Sequence, residues 1–177
     1  MQREWDLSRV SFLLIEDNGH MRSILRSVLS GYGVRDIFEA GDGFDAIECV
    51  IDRQPDFILL DWVMSPMSGA EFVSMLRGEP NPLLATTPVI IISAHARKTT
   101  IIEAVNLGIH GFIAKPVSPA VLYSRVGEVL NRQERHGRSK GIFGRARKEP
   151  TIKYDITDLS GRSAGGAPEE VQSLALL

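Results

Sequence analysis

Phe57-Ile58-Leu59-Leu60 is an unbroken apolar run that is entered from Pro55-Asp56 and stops on Asp61. A short run with no polar residue at alternate positions is the pattern of a strand covered on both faces. Such strands belong to parallel sheets, and an open parallel sheet binds its ligands at the carboxyl ends of its strands. The run therefore constrains the chain twice: it demands helices on both sides, and it delivers the Asp61 carboxylate to the edge where ligands bind.

Other runs repeat the pattern. Val10–Ile15 leads into Glu16-Asp17, Val89-Ile90-Ile91-Ile92 into Ser93, and His110–Ala114 into Lys115-Pro116, while Val34–Glu39 reads as a shorter strand. Between them, apolar residues recur at helical spacing: positions 21–29, 44–51, 70–76, 101–107 and 121–130. Asn18 and Gly19 are turn and cap residues, Gly31-Tyr32-Gly33 and Gly108 stop helices, and Ser118 is placed to cap the last one, 119–130. The segment 78–88 carries Pro80, Pro82 and Pro88 and is expected to be irregular. Strand and helix alternate five times, which implies a five-stranded parallel sheet flanked by five helices with right-handed crossovers.

Composition narrows the setting. Of 177 residues 44% are hydrophobic, as in a soluble globular domain. No apolar run approaches the roughly 20 residues that span a bilayer, and Met1–Asp6 lacks the apolar stretch of a secretory signal. Cys49, the single cysteine, sits among apolar residues and reads as core. The expected location is the cytoplasm. Charge is unevenly distributed: residues 1–131 hold 11 Lys and Arg against 16 Asp and Glu, residues 132–153 hold 8 against 2, and residues 154–177 hold 1 against 4. The expected organisation is a polar leader (1–9), a domain (10–131) and a disordered tail (132–177), basic and then acidic, with Thr151–Tyr154 as a candidate further strand or partner contact.

One edge thus gathers Glu16, Asp17, Asp61, Ser93 and Lys115. Each alone has an ordinary reading as a helix-dipole charge, a cap, a strand-end hydroxyl or a solvated cation. Together they describe a site. Three crowded carboxylates raise one another's pKa and become tolerable around a hard divalent cation, for which magnesium is the natural choice. Lys115 supplies a mobile point charge for phosphoryl oxygens, Ser93 a hydroxyl donor, and Asp61 an available nucleophile.

The motifs Leu14-Ile15-Glu16-Asp17, Met21-Arg22, Glu39-Ala40-Gly41-Asp42-Gly43, Leu60-Asp61-Trp62-Val63-Met64, Met67-Ser68-Gly69, Ile92-Ser93-Ala94 and Gly111–Pro116 are similar to those of receiver domains of two-component response regulators, in particular the single-domain, chemotaxis-type members. The resemblance covers about residues 10–131. It implies a flavodoxin-like sheet of order 2-1-3-4-5. It also implies that Asp61 is the phosphoacceptor and that Glu16, Asp17, Asp61 and the Val63 carbonyl hold magnesium. Ser93 is then the switch hydroxyl, Lys115 the phosphoryl ligand before a cis Lys115-Pro116 bond, and Phe112 the switch aromatic that turns inward with Ser93. The implied donor is a sensor histidine kinase or a histidine phosphotransfer protein. The implied output is a downstream protein bound through the 97–130 face, and the only chemistry is the protein's own phosphorylation and dephosphorylation.

Three departures stand out. Pro66 takes the place of a proline that the family usually carries at the position of Ser65, Val63 is apolar where many members are polar, and His95 is bulky and ionisable at the mouth of the site. Val63 and His95 are expected to tune the lifetime of the aspartyl phosphate. No DNA-binding domain is expected in the tail. Its basic stretch Arg132–Lys148 suits an acidic partner, nucleic acid or anionic lipid, or is simply solvated. Alternatives are a phosphate shuttle or sink, a binding module that works without phosphorylation, a nucleic-acid binder using the tail, and a metal-dependent phosphatase.

Overall fold

The three central strands are buried at every position, which is what the apolar runs require. The structure is a computed structural model that describes residues 5–135. The strands are β1 (Phe12–Ile15), β2 (Ile37–Ala40), β3 (Phe57–Asp61), β4 (Val89–Ser93) and β5 (Gly111–Ala114). All pair in parallel in the order β2-β1-β3-β4-β5, the order expected. The edge strand β2 is half-buried and carries the exposed Glu39, because a neighbour covers it on one side only.

Alternation of side chains along the strands builds two cores. On one face Leu13, Ile15, Ile58, Leu60 and Ile91 pack with α2 (Gly43–Arg53), α3 (Gly69–Gly78) and α5 (Lys98–Asn106). On the other face Phe12, Leu14, Phe57, Leu59 and Ile92 pack with α1 (Gly19–Gly31) and α6 (Pro119–Arg135), and the Phe12 and Phe57 rings stack at 5.3 Å. Helix starts follow local chemistry. The side chain of Asn18 accepts from Met21 N, that of Asp42 from Phe44 N and Asp45 N, and Ser68 forms a reciprocal capping box with Glu71.

Several expectations need correction. Within 78–88, Asn81 caps a four-residue helix, α4 (Pro82–Ala85), so the described residues hold six α-helices rather than five, besides a 3-10 turn at Leu7–Arg9. Pro82 helps to start this helix because the first turn has no use for its missing N–H. The β1 ladder begins at Phe12, not Val10, and β2 at Ile37, not Val34, following Gly33 at φ +84°. His110 lies just outside β5, although its N–H donates to Val89 O. Residues 5–9, the described part of the stretch read as a polar leader, contact the rest of the domain. Leu7 is buried, and Trp5 is tied to α6 through Tyr123, whose hydroxyl accepts from Trp5 N (2.6 Å) and donates to Trp5 O (3.1 Å). Cys49 is half-buried at the margin of the core, and burial pushes its thiol pKa up.

Helix α6 continues past Asn131 to Arg135, with Arg125 and Arg132 both paired to Glu128. Residues 1–4 and the tail beyond 135, including the rest of the basic stretch, the acidic end and Thr151–Tyr154, lie outside the described residues. No described helix is long and apolar enough to cross a membrane.

Candidate functional site

Parallel register brings the strand ends together. Ile15 is opposite Leu60, Asp61 opposite Ile92, and Ser93 opposite Ala114, so Glu16, Asp61, Ser93 and Lys115 share one edge. Lys115 N donates to Ser93 O at 2.9 Å, which extends the ladder by one residue and aims the lysine into the crevice.

The centre of the site is the Lys115 ammonium. It donates to Glu16 Oε2 and to Asp61 Oδ2, each at 2.9 Å. Glu16 and Asp61 are buried, whereas Asp17 is exposed at the rim. The second Asp61 oxygen, Oδ1, accepts from Val63 N at 3.3 Å. Ser93 is fully buried, and its hydroxyl oxygen accepts from His95 N at 3.0 Å. Val63 and His95 are both exposed at the mouth, and Trp62 is buried beside Asp61.

The electrostatics are those of an overfilled acidic cluster. Burial pushes the Glu16 carboxyl above its ordinary pKa; the Lys115 hydrogen bond opposes this and the Asp61 charge adds to it. Burial works against the Lys115 ammonium, but its hydrogen bonds to Asp61 and Glu16 outweigh that and leave its pKa raised. One ammonium thus serves two buried carboxylates, with a third beside them. One carboxylate oxygen from each of Glu16, Asp17 and Asp61 can be chosen so that all lie within 4.8 Å of one another. An all-oxygen, net-negative set of this size fits a hard divalent cation.

Phe112, expected to turn inward, already lies inside, 4% exposed and packed among the core residues of the α2, α3 and α5 face. Lys115-Pro116 is cis, as the resemblance implied, and so is Ser65-Pro66. The structure also adds a residue to which the sequence alone assigned no role. Arg22 Nη1 donates to the main-chain oxygen of Glu16 at 2.7 Å, and Arg22 Nε to Glu39 Oε2 at 3.1 Å. An arginine one turn into α1 is visible in the sequence, but its reach to the end of β1 and to β2 is a product of the fold.

Comparison with known proteins agrees with this geometry. Residues 12–127 match the response regulator receiver domain family. The chain is 31% identical over 123 residues to chemotaxis protein CheY-3 of Vibrio cholerae, spanning 70% of this chain and 93% of that protein. It is 29% identical over 123 residues to chemotaxis protein CheY of Pseudomonas aeruginosa, spanning 70% and 98%. Among solved structures, the receiver domain of the Francisella response regulator 1452 superposes with a TM-score of 0.63 at 26% identity, covering 71% of this chain and 99% of that one.

Proposed function

The chain belongs to the response regulator receiver domains of two-component signalling, and on that premise we propose that Asp61 accepts a phosphoryl group from a histidine kinase or histidine phosphotransfer protein, with magnesium required. The observation that carries this reading is the Lys115 ammonium held at 2.9 Å from both Glu16 and Asp61. A cation of that placement is what a phosphoryl group arriving on Asp61 needs beside it.

An oxygen of the Asp61 carboxylate attacks phosphorus, the phosphorus–nitrogen bond of the donor's phosphohistidine breaks, and the electron pair leaves with the imidazole. Lys115 then trades a carboxylate contact for a phosphoryl oxygen. Glu16, Asp17, Asp61 and the Val63 carbonyl would hold magnesium, which supplies charge neutralisation for the transfer. Ser93 reads the product: its hydroxyl, now accepting from His95 N, turns to donate to a phosphoryl oxygen and carries the 94–97 segment with it. The ring of Phe112 sits inside behind this movement, so the switch consists in fixing that inward position.

The added charge, about −1.5 to −2, is thereby converted into a change of surface. The output surface on this reading is α5, β5 and α6, where Ile102 is exposed beside Thr99, Glu103 and Asn106 in a shallow cleft. Signalling through protein contacts follows.

Trp62 reports on the site. Titration with magnesium and then with beryllofluoride, a phosphoryl mimic, should give saturable changes in its fluorescence that Asp61→Asn abolishes, and acetyl phosphate should add one phosphoryl mass to the protein but not to that variant. Silence to both ligands, with no mass shift, would leave a module that binds partners without phosphorylation.

A further inference from the structure

Glu16 is gripped from two directions. Its carboxylate is held by Lys115, while its main-chain oxygen receives the guanidinium of Arg22. Arg22 is itself anchored: its Nε donates to Glu39, and the other Glu39 oxygen accepts from Arg26. Glu39 stands on the edge strand β2, in register with Leu14 of β1. A chain of contacts therefore runs from β2 through Glu39 and Arg22 to the turn that presents Glu16 and Asp17. The Arg22 side chain is 25% exposed and that of Glu39 31%, so both are shielded enough to hold a defined geometry.

We propose that Arg22 is a positioning residue for the acidic turn: it fixes the Glu16 main chain against β2 and so sets where the Glu16 and Asp17 carboxylates stand when a divalent cation binds. The inference rests on the reading of Glu16 and Asp17 as cation ligands. Its physical basis is the planar fork of arginine, which donates from two nitrogens in fixed directions and joins two acceptors that a single ammonium serves less well. The guanidinium contacts the carbonyl of Glu16, whereas the charge of its carboxylate is met by Lys115. Arg22 thus governs the place of the ligands. Groups that orient metal ligands from behind typically contribute tenfold or more to affinity.

The test uses the full chain and magnesium itself. Arg22→Ala should weaken magnesium binding, read by Trp62 fluorescence, by about tenfold, with little change in the thermal midpoint in EDTA. In the metal-free protein the Glu16 amide, which donates to Ala40 O at 3.2 Å, should exchange faster. Arg22→Lys should recover part of the affinity, and Arg26→Ala, which leaves the Arg22 fork in place, should bind magnesium as the wild type does. Wild-type affinity in Arg22→Ala, or in Arg22→Lys should the alanine variant not fold, overturns the positioning role while the cation site stands. Equal losses in Arg22→Ala and Arg26→Ala overturn it too, because a general charge effect would then suffice. A wild-type protein that does not bind magnesium overturns the cation site and this inference together.

Discussion

Lys115 Nζ donates to Asp61 Oδ2 at 2.9 Å, joining the residue that follows β5 to the last residue of β3. The lysine side chain is 17% exposed and the aspartate 9%, so water screens the pair weakly. Removing one member of a buried pair strands the other, and here Glu16 is stranded as well. Lys115→Met should therefore destabilise the protein by about 3 kcal/mol in urea at neutral pH with EDTA present. The double variant Lys115→Met with Asp61→Asn should regain part of that loss, because one of the two stranded charges is gone. Equal unfolding midpoints for the single and double variants would show that the pair is not the source.

Gly69 tests the tightness of the loop after Asp61. A Cβ there would lie 2.9 Å from both Asp61 O and Trp62 Cα, and these backbone atoms cannot step aside. Gly69 N also donates to Trp62 O at 3.0 Å, closing the loop that follows Asp61. Gly69→Ala should destabilise by about 1–3 kcal/mol, as overpacking does, and shift the Trp62 emission. Gly31 is the counterexample: a Cβ at the end of α1 meets nothing within 4 Å. Gly31→Ala should be neutral or stabilise by up to about 1 kcal/mol. Thermal unfolding of the two variants side by side decides both.

The five parallel strands and the convergence of Glu16, Asp61, Ser93 and Lys115 were legible because strands buried on both faces leave continuous apolar runs, and the polar residue ending each run marks one edge. The order of the strands, by contrast, was implied only by the resemblance to receiver domains. The places where the reading failed have local causes. Prolines at 80, 82 and 88 suggested an irregular segment, but Pro82 in the first turn behind Asn81 is compatible with a helix. Trp5 and Leu7 stand among polar neighbours, and only the distant Tyr123 and the second core reveal why they are apolar. Arg22 escaped for the same reason, since its acceptors at Glu16 and Glu39 meet only after β1 and β2 pair.

The start of α3 carries a pH signature. Ser68 N and Oγ both donate to Glu71 Oε2 at 2.8 Å, and Glu71 N donates back to Ser68 Oγ. These bonds hold the Glu71 carboxyl below its ordinary pKa, the backbone bond contributing most. A depressed folded-state pKa stabilises the fold at pH above the unfolded value of 4.5, and that stabilisation is lost as pH falls through the folded-state value. Ser68→Ala removes the hydroxyl bond and keeps the larger backbone one, so it should raise the Glu71 pKa only part of the way to its ordinary range in a carboxyl NMR titration. It should also lower stability at neutral pH by removing the cap, and that difference should shrink in acid. A difference that grows in acid would show that the box is not its origin.

The mouth of the site makes the last prediction. Val63 is held by its main chain, whose N–H donates to Asp61 Oδ1, while the residue as a whole is 54% exposed. His95 is held in the same way through Ser93 Oγ and is likewise exposed. Both residues are thus tied to the site by their main chains and exposed to solvent, so on the proposed phosphorylation of Asp61 they are the exposed neighbours that an attacking water would meet. On that proposal an apolar Val63 would offer the water no hydrogen bond, and the bulk of the His95 ring would hinder its approach. Val63→Asn should shorten the phosphoryl lifetime several-fold by giving the water a partner, and His95→Ala should shorten it by opening the route. Because the two side chains act through different means, the double variant should approach the product of the single effects. Decay of radiolabelled phosphoprotein after removal of acetyl phosphate measures all three rates, and Val63→Asn decaying at the wild-type rate would remove Val63 from the control of lifetime.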